Sequence, residues 1–245
     1  MQDEAWKSLL TGDEHAVAAD TREPLLAVFG PLQDARKHQR PCIVAQLGLS
    51  LDGRIATQTG DSKYINGRHA LTHLHRLRAL VDAVVIGAGT ARADDPQLPV
   101  RHCAGAHPAR VVIDPQGSIP ATAKVWTDDG NRCLVFGGAA DLPAHVERLA
   151  APGGGIPVAG IVESLAAQGL HRLLIEGGAD TLGRFLTAGY VDSLHLLYGR
   201  VILGSGRIGV SLPPIQSLSQ ALRPQGCAHV FPDGDLLVTC DLKTA

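Results

Sequence analysis

The chain has 245 residues, of which 45% are hydrophobic and 19% are charged, and its formal net charge is −2. These values argue against a disordered chain and against a strongly basic nucleic-acid-binding surface, and they predict a soluble globular domain. No apolar run reaches the ~18 residues that span a bilayer, and the acidic N-terminus has no signal-peptide pattern. We therefore expect neither a membrane partner nor a nucleic-acid partner.

The five cysteines are odd in number, widely spaced and never separated by only two residues. This spacing argues against a disulfide framework and against a cysteine-based zinc site. We expect a cytoplasmic protein with reduced thiols and no bound metal.

The pattern of the chain changes near residue 41. Residues 1–40 contain two weak helical patterns, around Trp6 and around residues 25–32, and they end in the loop-like run QDARKHQRP. From residue 41 onward, short apolar runs rich in branched side chains alternate with helical periodicity. We expect an N-terminal helical arm, residues 1–40, followed by one α/β domain, residues 41–245.

The predicted strands of that domain are CIVAQLGLS, DAVVIGAG, RVVID, CLVF, RLLIEGG, VDSLHLLYGRVILG and DLLVTCDL, and helices are predicted near residues 67–80, 142–150, 161–169 and 178–188. Alternating strands and helices predict a mostly parallel sheet, and the last two strands, with no helix between them, predict an antiparallel edge. Ligands bind beyond the carboxyl ends of parallel strands. The site is therefore expected in residues 50–65, 87–101, 114–118 and 176–184.

The segment LLIEGGADTLGRFLTAG predicts a strand, a tight turn and a helix. Gly177 and Gly178 leave the N–H groups of the helix N-terminus unshielded, as a phosphate site requires, although two glycines in such a turn can also serve the turn alone. The full G-x-G-x-x-G spacing is absent. Glu176, at the end of the strand, is interpreted either as an acceptor for a donor-rich heterocycle or as a solvated acid.

Arg78 falls within the apolar stripe of its predicted helix, which is formed by Ala70, Leu71, Leu74, Leu77 and Val81. A guanidinium in that position needs a partner, which is either an internal carboxylate, Asp82 or Asp52, or an anionic ligand. His69 and His73 lie one turn apart, but no third residue follows at metal-binding spacing, and we expect them on a solvated helix face.

Thr90 follows glycines at a strand end, where it either caps a short helix or binds phosphate. The adjacent acids Asp94 and Asp95 fit helix caps and turns as well as they fit a catalytic role. No order of nucleophile and base is evident, so no catalytic residue is assigned.

Four segments, LGLSLDGRIATQTGDSKYI, LRALVDAVVIGAGTARADDPQLPVR, LLIEGGADTLGRFLTAGYVDSLHL and VILGSG, resemble in order and spacing the RibD C-terminal reductase family, the pyrimidine reductases of riboflavin biosynthesis. The resemblance runs from about residue 41 to 245. It implies a three-layer dihydrofolate-reductase-like fold with a central, mostly parallel sheet and an antiparallel C-terminal edge. Residues 1–40 contain neither motif of the zinc deaminase that bifunctional members carry.

The activity that the resemblance implies is hydride transfer from NADPH to a ring-opened phosphoribosylamino-pyrimidine, as in 5-amino-6-(5-phosphoribosylamino)uracil reductase. By position, the resemblance assigns cofactor binding to Gly48, Tyr64, Thr90, Asp94 and the loop from Gly178 to Arg184. The residues named in and next to this loop are Gly177, Gly178, Ala179, Asp180, Thr181 and Leu182. It assigns substrate binding to Ser62, Lys63, Arg78, Leu98, Arg101 and Glu176. Two of these arginines and Lys63 would share the substrate phosphate.

Three departures from the family pattern are Tyr64 where tryptophan is frequent, Pro99 where threonine is usual, and Pro115 where many members have a serine associated with the 2′-phosphate of the cofactor. Because proline offers neither a hydroxyl nor an N–H, NADH stays open as the alternative to NADPH. A related pyrimidine or pterin-like substrate stays open, as do a non-catalytic nucleotide-binding member of the fold and a dihydrofolate reductase. Family members commonly dimerise, and we expect a homodimer with the arm as a clasp.

Overall fold

The computed structural model describes residues 2–11, 28–150 and 156–243. The helices are α1 (Gln2–Thr11), α2 (Gly30–Lys37), α3 (Arg68–Leu80), α4 (Ala88–Asp94), α5 (Val158–Ala167) and α6 (Ala179–Thr187). The strands are β1 (Cys42–Ser50), β2 (Arg54–Ala56), β3 (Ala83–Gly87), β4 (Ala109–Asp114), β5 (Cys133–Gly137), β6 (Val146–Leu149), β7 (Arg172–Glu176), β8 (Ser193–Gly199), β9 (Arg207–Ile208), β10 (Gln225–Val230) and β11 (Leu236–Asp241).

One large sheet contains nine of these strands in the order β10-β11-β8-β1-β7-β3-β4-β5-β6, and β2 and β9 form a separate two-stranded ribbon. The strands from β8 to β6 are parallel, whereas β11 is antiparallel to both β8 and β10. The predicted mostly parallel sheet with an antiparallel C-terminal edge is confirmed.

Each face of the sheet is covered by helices, which gives the expected three layers. Val44 packs into the hydrophobic cluster beneath α1, α2 and α3, whereas its neighbours Ile43 and Ala45 pack into the cluster beneath α5 and α6. Successive side chains of a strand point to opposite faces, so an uninterrupted apolar strand is what a sheet buried on both faces requires.

The N-terminal helices pack onto the sheet of their own chain. Trp6 and Phe29 belong to the same buried cluster as Val44. The indole Nε1 of Trp6 donates to the carbonyl of Ala104 at 2.8 Å, and Gln33 Nε2 donates to the carbonyl of Leu9 at 2.6 Å. The described helices α1 and α2 therefore contribute to the core, and a domain boundary near residue 41 stays a prediction.

Three local predictions are wrong. The run QDARK, predicted as a loop, lies in α2, where Pro31 fits the first turn and Leu32 and Ala35 are buried. Of the helix predicted at 25–32, residues 30–32 begin α2, and residues 25–27 lie outside the described ranges. The helix predicted at 142–150 is the edge strand β6, in which only Val146 is buried. The polar strand β10 was not expected, since it lacks apolar alternation.

Among the described ranges, no helix is both long enough and apolar enough to cross a membrane.

Candidate active site

A cavity of about 750 Å³ opens at the carboxyl ends of β1, β7, β3 and β4, which are consecutive in the sheet. Residues from all four stretches expected after strand ends contribute to it, and the β2–β9 ribbon also lines it. Its size suits a ligand larger than a single nucleotide base. The cavity therefore lies where ligands bind in open α/β sheets.

Arg78 and Glu176 form a buried ion pair inside this cavity. The Nε and Nη2 atoms of Arg78 each donate to one carboxylate oxygen of Glu176 at 2.6 Å, and Nη1 donates to the carbonyl of Pro99 at 2.9 Å. Burial alone would lower the pKa of Arg78, but the charge and hydrogen bonds of Glu176 outweigh it and raise that pKa. The pair is thus ionised and carries no net charge.

The internal partner of Arg78 is neither of the two acids named from the sequence, which corrects that expectation. Asp82 instead pairs with the guanidinium of Arg172 and accepts its backbone N–H at 2.7 Å. Asp52 accepts from the hydroxyl of Ser50 at 2.6 Å. Glu176 is far away in sequence, and only the packing of α3 against β7 brings it to Arg78.

The turn from β7 into α6 presents backbone to the cavity. Gly177, Gly178 and the first residues of α6 line it, and no side chain caps the N-terminus of that helix. A Cβ added at Gly87 would lie 2.3 Å from Thr181 Oγ1, so glycine is needed where β3 meets α6. The unshielded helix N-terminus can hold an anionic group.

Thr90 joins α4 to this turn. Its Oγ1 accepts a hydrogen bond from the N–H of Gly178 at 2.9 Å, and no side chain makes a capping bond at the N-terminus of α4 itself. The cap that was one of the two predicted roles of Thr90 in its own helix is therefore not formed. Thr90 instead holds the backbone N–H of Gly178, which is the N-cap residue of α6.

Replacing Thr90 by valine should lower the free energy of unfolding by about 1–2 kcal/mol, because the partly buried Gly178 N–H then loses its acceptor. Urea unfolding measures this change. Thr72→Val is the matched control, since the Thr72 hydroxyl donates to a carbonyl of its own helix on an exposed face. Equal unfolding free energies for the two variants would contradict the stabilising role of the Thr90–Gly178 hydrogen bond.

Most of the residues assigned by resemblance line the cavity: Gly48, Ser62, Arg78, Thr90, Asp94, Leu98, Glu176, Gly177, Gly178, Ala179, Asp180, Thr181 and Arg184. Four others do not. Tyr64 is 94% exposed, Leu182 is buried in the core beneath α6, and Lys63 and Arg101 are exposed. A contact between these four and a ligand in the cavity stays a prediction.

Two polar residues of the lining were missed. Gln46 is buried beside Glu176 on the neighbouring strand, with which it is in register. A glutamine inside the apolar run CIVAQLGLS was a usable signal. Arg207 enters the cavity from β9, and its segment GSGRIG predicts a turn but gives no sign of where that turn packs.

His73 is not on a solvated face, which corrects a second expectation. It is 3% exposed, its Nε2 lies 2.9 Å from Nδ1 of His195, and its ring stacks on Phe29. Burial lowers the pKa of His73 well below its usual value and that of His195 to about 4, so both rings are neutral near pH 7. His69, as expected, is exposed, and it contacts Asp233 at 3.0 Å.

Comparison with known proteins shows which family the chain resembles. The family model for the RibD C-terminal domain matches residues 41–233. The riboflavin biosynthesis protein RibD of Bacillus amyloliquefaciens is 33% identical over 181 residues, which are 70% of this chain and 48% of that protein. The 2,5-diamino-6-ribosylamino-4(3H)-pyrimidinone 5′-phosphate reductase of Methanothermobacter thermautotrophicus is 31% identical over 215 residues, 83% of this chain and 99% of the relative.

Solved structures show the same fold. Acinetobacter baumannii RibD superimposes with a TM-score of 0.75 at 29% identity, covering 87% of this chain and 61% of that one. A deaminase/reductase from Thermotoga maritima gives a TM-score of 0.72 at 28% identity, with 86% and 59% covered. The chain spans about half the length of the B. amyloliquefaciens RibD but nearly all of the Methanothermobacter reductase.

Proposed function

Because the chain belongs to the RibD C-terminal domain family, we propose that it is an NADPH-dependent reductase of a phosphoribosylamino-pyrimidine in riboflavin biosynthesis. The observation that carries this proposal is the cavity itself, in which an uncapped helix N-terminus and a neutralised Arg78–Glu176 pair face one space. The near-complete coverage of the Methanothermobacter reductase supports the reductase activity in this proposal.

The residues around the β7–α6 turn fit a dinucleotide cofactor. A Cβ added at Gly177 would lie 3.3 Å from Thr90 Oγ1, so a larger side chain would be crowded here. With glycine at this position, a pyrophosphate can approach the backbone. In this proposal Gly48, Thr90, Asp94 and residues 177–181 hold the cofactor. NADPH, when bound, supplies the hydride. NADH stays the alternative, since Pro115 lines the cavity without a hydrogen-bond donor.

The Arg78–Glu176 pair is proposed to orient the pyrimidine. Arg78 holds both carboxylate oxygens of Glu176, and each oxygen keeps a further lone pair for an N–H group of an aminopyrimidine. Arg78 compensates the negative charge, so a neutral heterocycle would meet an acceptor without an isolated buried charge. Ser62 and Leu98 would complete this end of the site.

The proposal is tested by following NADPH absorbance in the presence of the two substrates named for the relatives, the diaminopyrimidinone and the aminouracil ribosylamine phosphates. We expect turnover with at least one of them and none with dihydrofolate. Tight NADPH binding without turnover would favour the non-catalytic alternative, and turnover with dihydrofolate alone would favour a dihydrofolate reductase.

We also propose a homodimer formed along β10. This strand is the outer strand of the sheet, most of its residues are exposed, and Val230 within it is 68% exposed. An open edge with exposed apolar side chains favours pairing with a second copy. Helix α1 packs on its own chain, and residues 12–27 of the arm lie outside the described ranges.

Light scattering should therefore give twice the 25.7 kDa of one chain. Val230→Lys should shift the mass towards a single chain, because a lysine on an edge strand opposes strand pairing. Leu71→Lys, which changes an exposed leucine on α3, is the control. A mass of one chain for the unmodified protein at micromolar concentration would refute the dimer.

A further inference from the structure

Three arginines line the cavity, and they differ in what their guanidinium groups already bind. Arg78 is neutralised by Glu176, and Arg184 Nη2 donates to the carbonyl of Ile156 at 2.6 Å. Within residues 2–11, 28–150 and 156–243, the guanidinium of Arg207 makes no hydrogen bond or ion pair that meets the usual distance limits. Arg207 therefore brings an uncompensated donor group to the cavity.

The backbone that carries Arg207 is held tightly. In the β2–β9 ribbon Arg207 is opposite Ala56. A Cβ added at Gly206 would lie 2.3 Å from the carbonyl oxygen of Ala56, and one added at Gly209 would lie 2.2 Å from a methyl group of Leu49. Since glycine alone permits these approaches, β9 is closely packed on both sides of Arg207, and the start of its side chain is fixed.

The end of the side chain reaches the loop that carries Ser62. A Cβ added at Gly60 would lie 3.4 Å from Nη2 of Arg207. Gly60 has a φ of +96°, which a larger residue adopts only with strain, so this loop is kept clear of side chain at the guanidinium. Both Gly60 and Ser62 line the same cavity.

The acid that interacts with Arg207, Asp94, forms no hydrogen bond with its guanidinium. Asp94 interacts with Arg207 only through its electrostatic field, and burial raises the pKa of Asp94 in opposition to that field. No hydrogen bond joins the two side chains within the described residues. The planar donors of Arg207 thus stay available to an incoming anion.

We propose that Arg207 binds a phosphate group of the ligand that occupies this cavity. A guanidinium on a fixed backbone gives phosphate two parallel hydrogen bonds, and the hydroxyl of Ser62, which lines the same cavity, can add a third. The identity of the ligand rests on the proposed function, whose two candidates, a ribosylamine phosphate and a dinucleotide, both carry phosphate. The proposal assigns this contact to a residue other than Lys63 and Arg101, which lie outside the lining.

The experiment measures binding by calorimetry for the unmodified protein, Arg207→Gln and Arg207→Lys, with ribose 5-phosphate, ribose and NADPH as probes. We expect Arg207→Gln to weaken one phosphate-bearing probe by at least about tenfold, with Arg207→Lys intermediate and ribose binding unchanged. Loss confined to ribose 5-phosphate identifies the sugar phosphate, and loss confined to NADPH identifies the dinucleotide. Arg223→Gln, on an exposed arginine outside the cavity, is the matched control.

Turnover of the ribosylamine phosphates by the unmodified protein is measured on the same preparations. Arg207-dependent phosphate binding without turnover would leave the inference standing while the proposed function fails. Equal affinities of the unmodified protein and Arg207→Gln for both phosphate probes, or no binding of either probe by the unmodified protein, would overturn the inference. Melting temperatures of the variants should stay unchanged, since the side chain is exposed.

Discussion

Replacing Arg78 by methionine should lower the melting temperature by about 10 °C. The substitution leaves the buried carboxylate of Glu176 without its two hydrogen bonds and its counter-charge, and breaking a buried pair in this way costs about 3–5 kcal/mol. In a domain of this size, each kcal/mol corresponds to roughly 2–4 °C. Thermal unfolding followed by circular dichroism measures the change.

The double variant Arg78→Met/Glu176→Met should recover most of the lost stability, because apolar replacement of both partners removes the stranded charge. It should not recover activity if the pair orients substrate. Arg132→Met is the matched control: Arg132 binds Glu147 at 2.8 and 2.6 Å in the same two-bond geometry, but this pair is exposed, so its loss should cost at most about 1 kcal/mol. An Arg78→Met protein with an unchanged melting temperature would contradict the stabilising role of the pair, and a raised KM in that protein would assign Arg78 to ligand binding instead.

Acidification should destabilise the protein through His73 and His195. The folded state holds both rings neutral, with the pKa of His195 lowered by burial to about 4, whereas the unfolded chain takes up protons near 6.5. The unfolded state therefore binds more protons between these values, so this contribution to stability is complete above pH 6.5 and is lost as the pH falls towards about 4. Well inside this window each histidine contributes a slope of about 1.4 kcal/mol per pH unit.

The variant that isolates this effect is His73→Leu/His195→Leu, which replaces the pair by side chains suited to contact with Phe29. Urea unfolding at about pH 7.5 and about pH 5 should show a smaller loss of stability in the variant than in the unmodified protein. His38→Leu, which removes an exposed histidine beside Asp34, is the control variant. Parallel pH profiles for the unmodified protein and the double variant would contradict the assignment.

The sequence was sufficient for most of the large sheet and for the position of the cavity, because both depend on local patterns. Apolar runs and their spacing predicted every parallel strand of the large sheet except β6, and residues after strand ends gather at one edge wherever such strands are parallel. Gly177 and Gly178 could be assigned to the cavity on this basis.

Pairing between distant residues was not predictable in the same way. The sequence showed that Arg78 needed a partner, but the nearby Asp82 is occupied by Arg172, and Glu176 arrives from another element. His73 was misplaced for a related reason, since only packing brings Phe29 and His195 to its ring. Strand β6 was mistaken for a helix because four residues at a sheet edge carry too short a pattern to separate the two.

The packing of α1 determines what the intrinsic tryptophan fluorescence of the protein reports. The chain contains two tryptophans, Trp6 and Trp126, and both are buried in the one cluster beneath α1, α2 and α3. Neither lines the cavity. Intrinsic fluorescence therefore reports on a single layer of the protein: loosening of the N-terminal helices should shift the emission to longer wavelengths, whereas side-chain rearrangements confined to the cavity should leave the wavelength of emission unchanged.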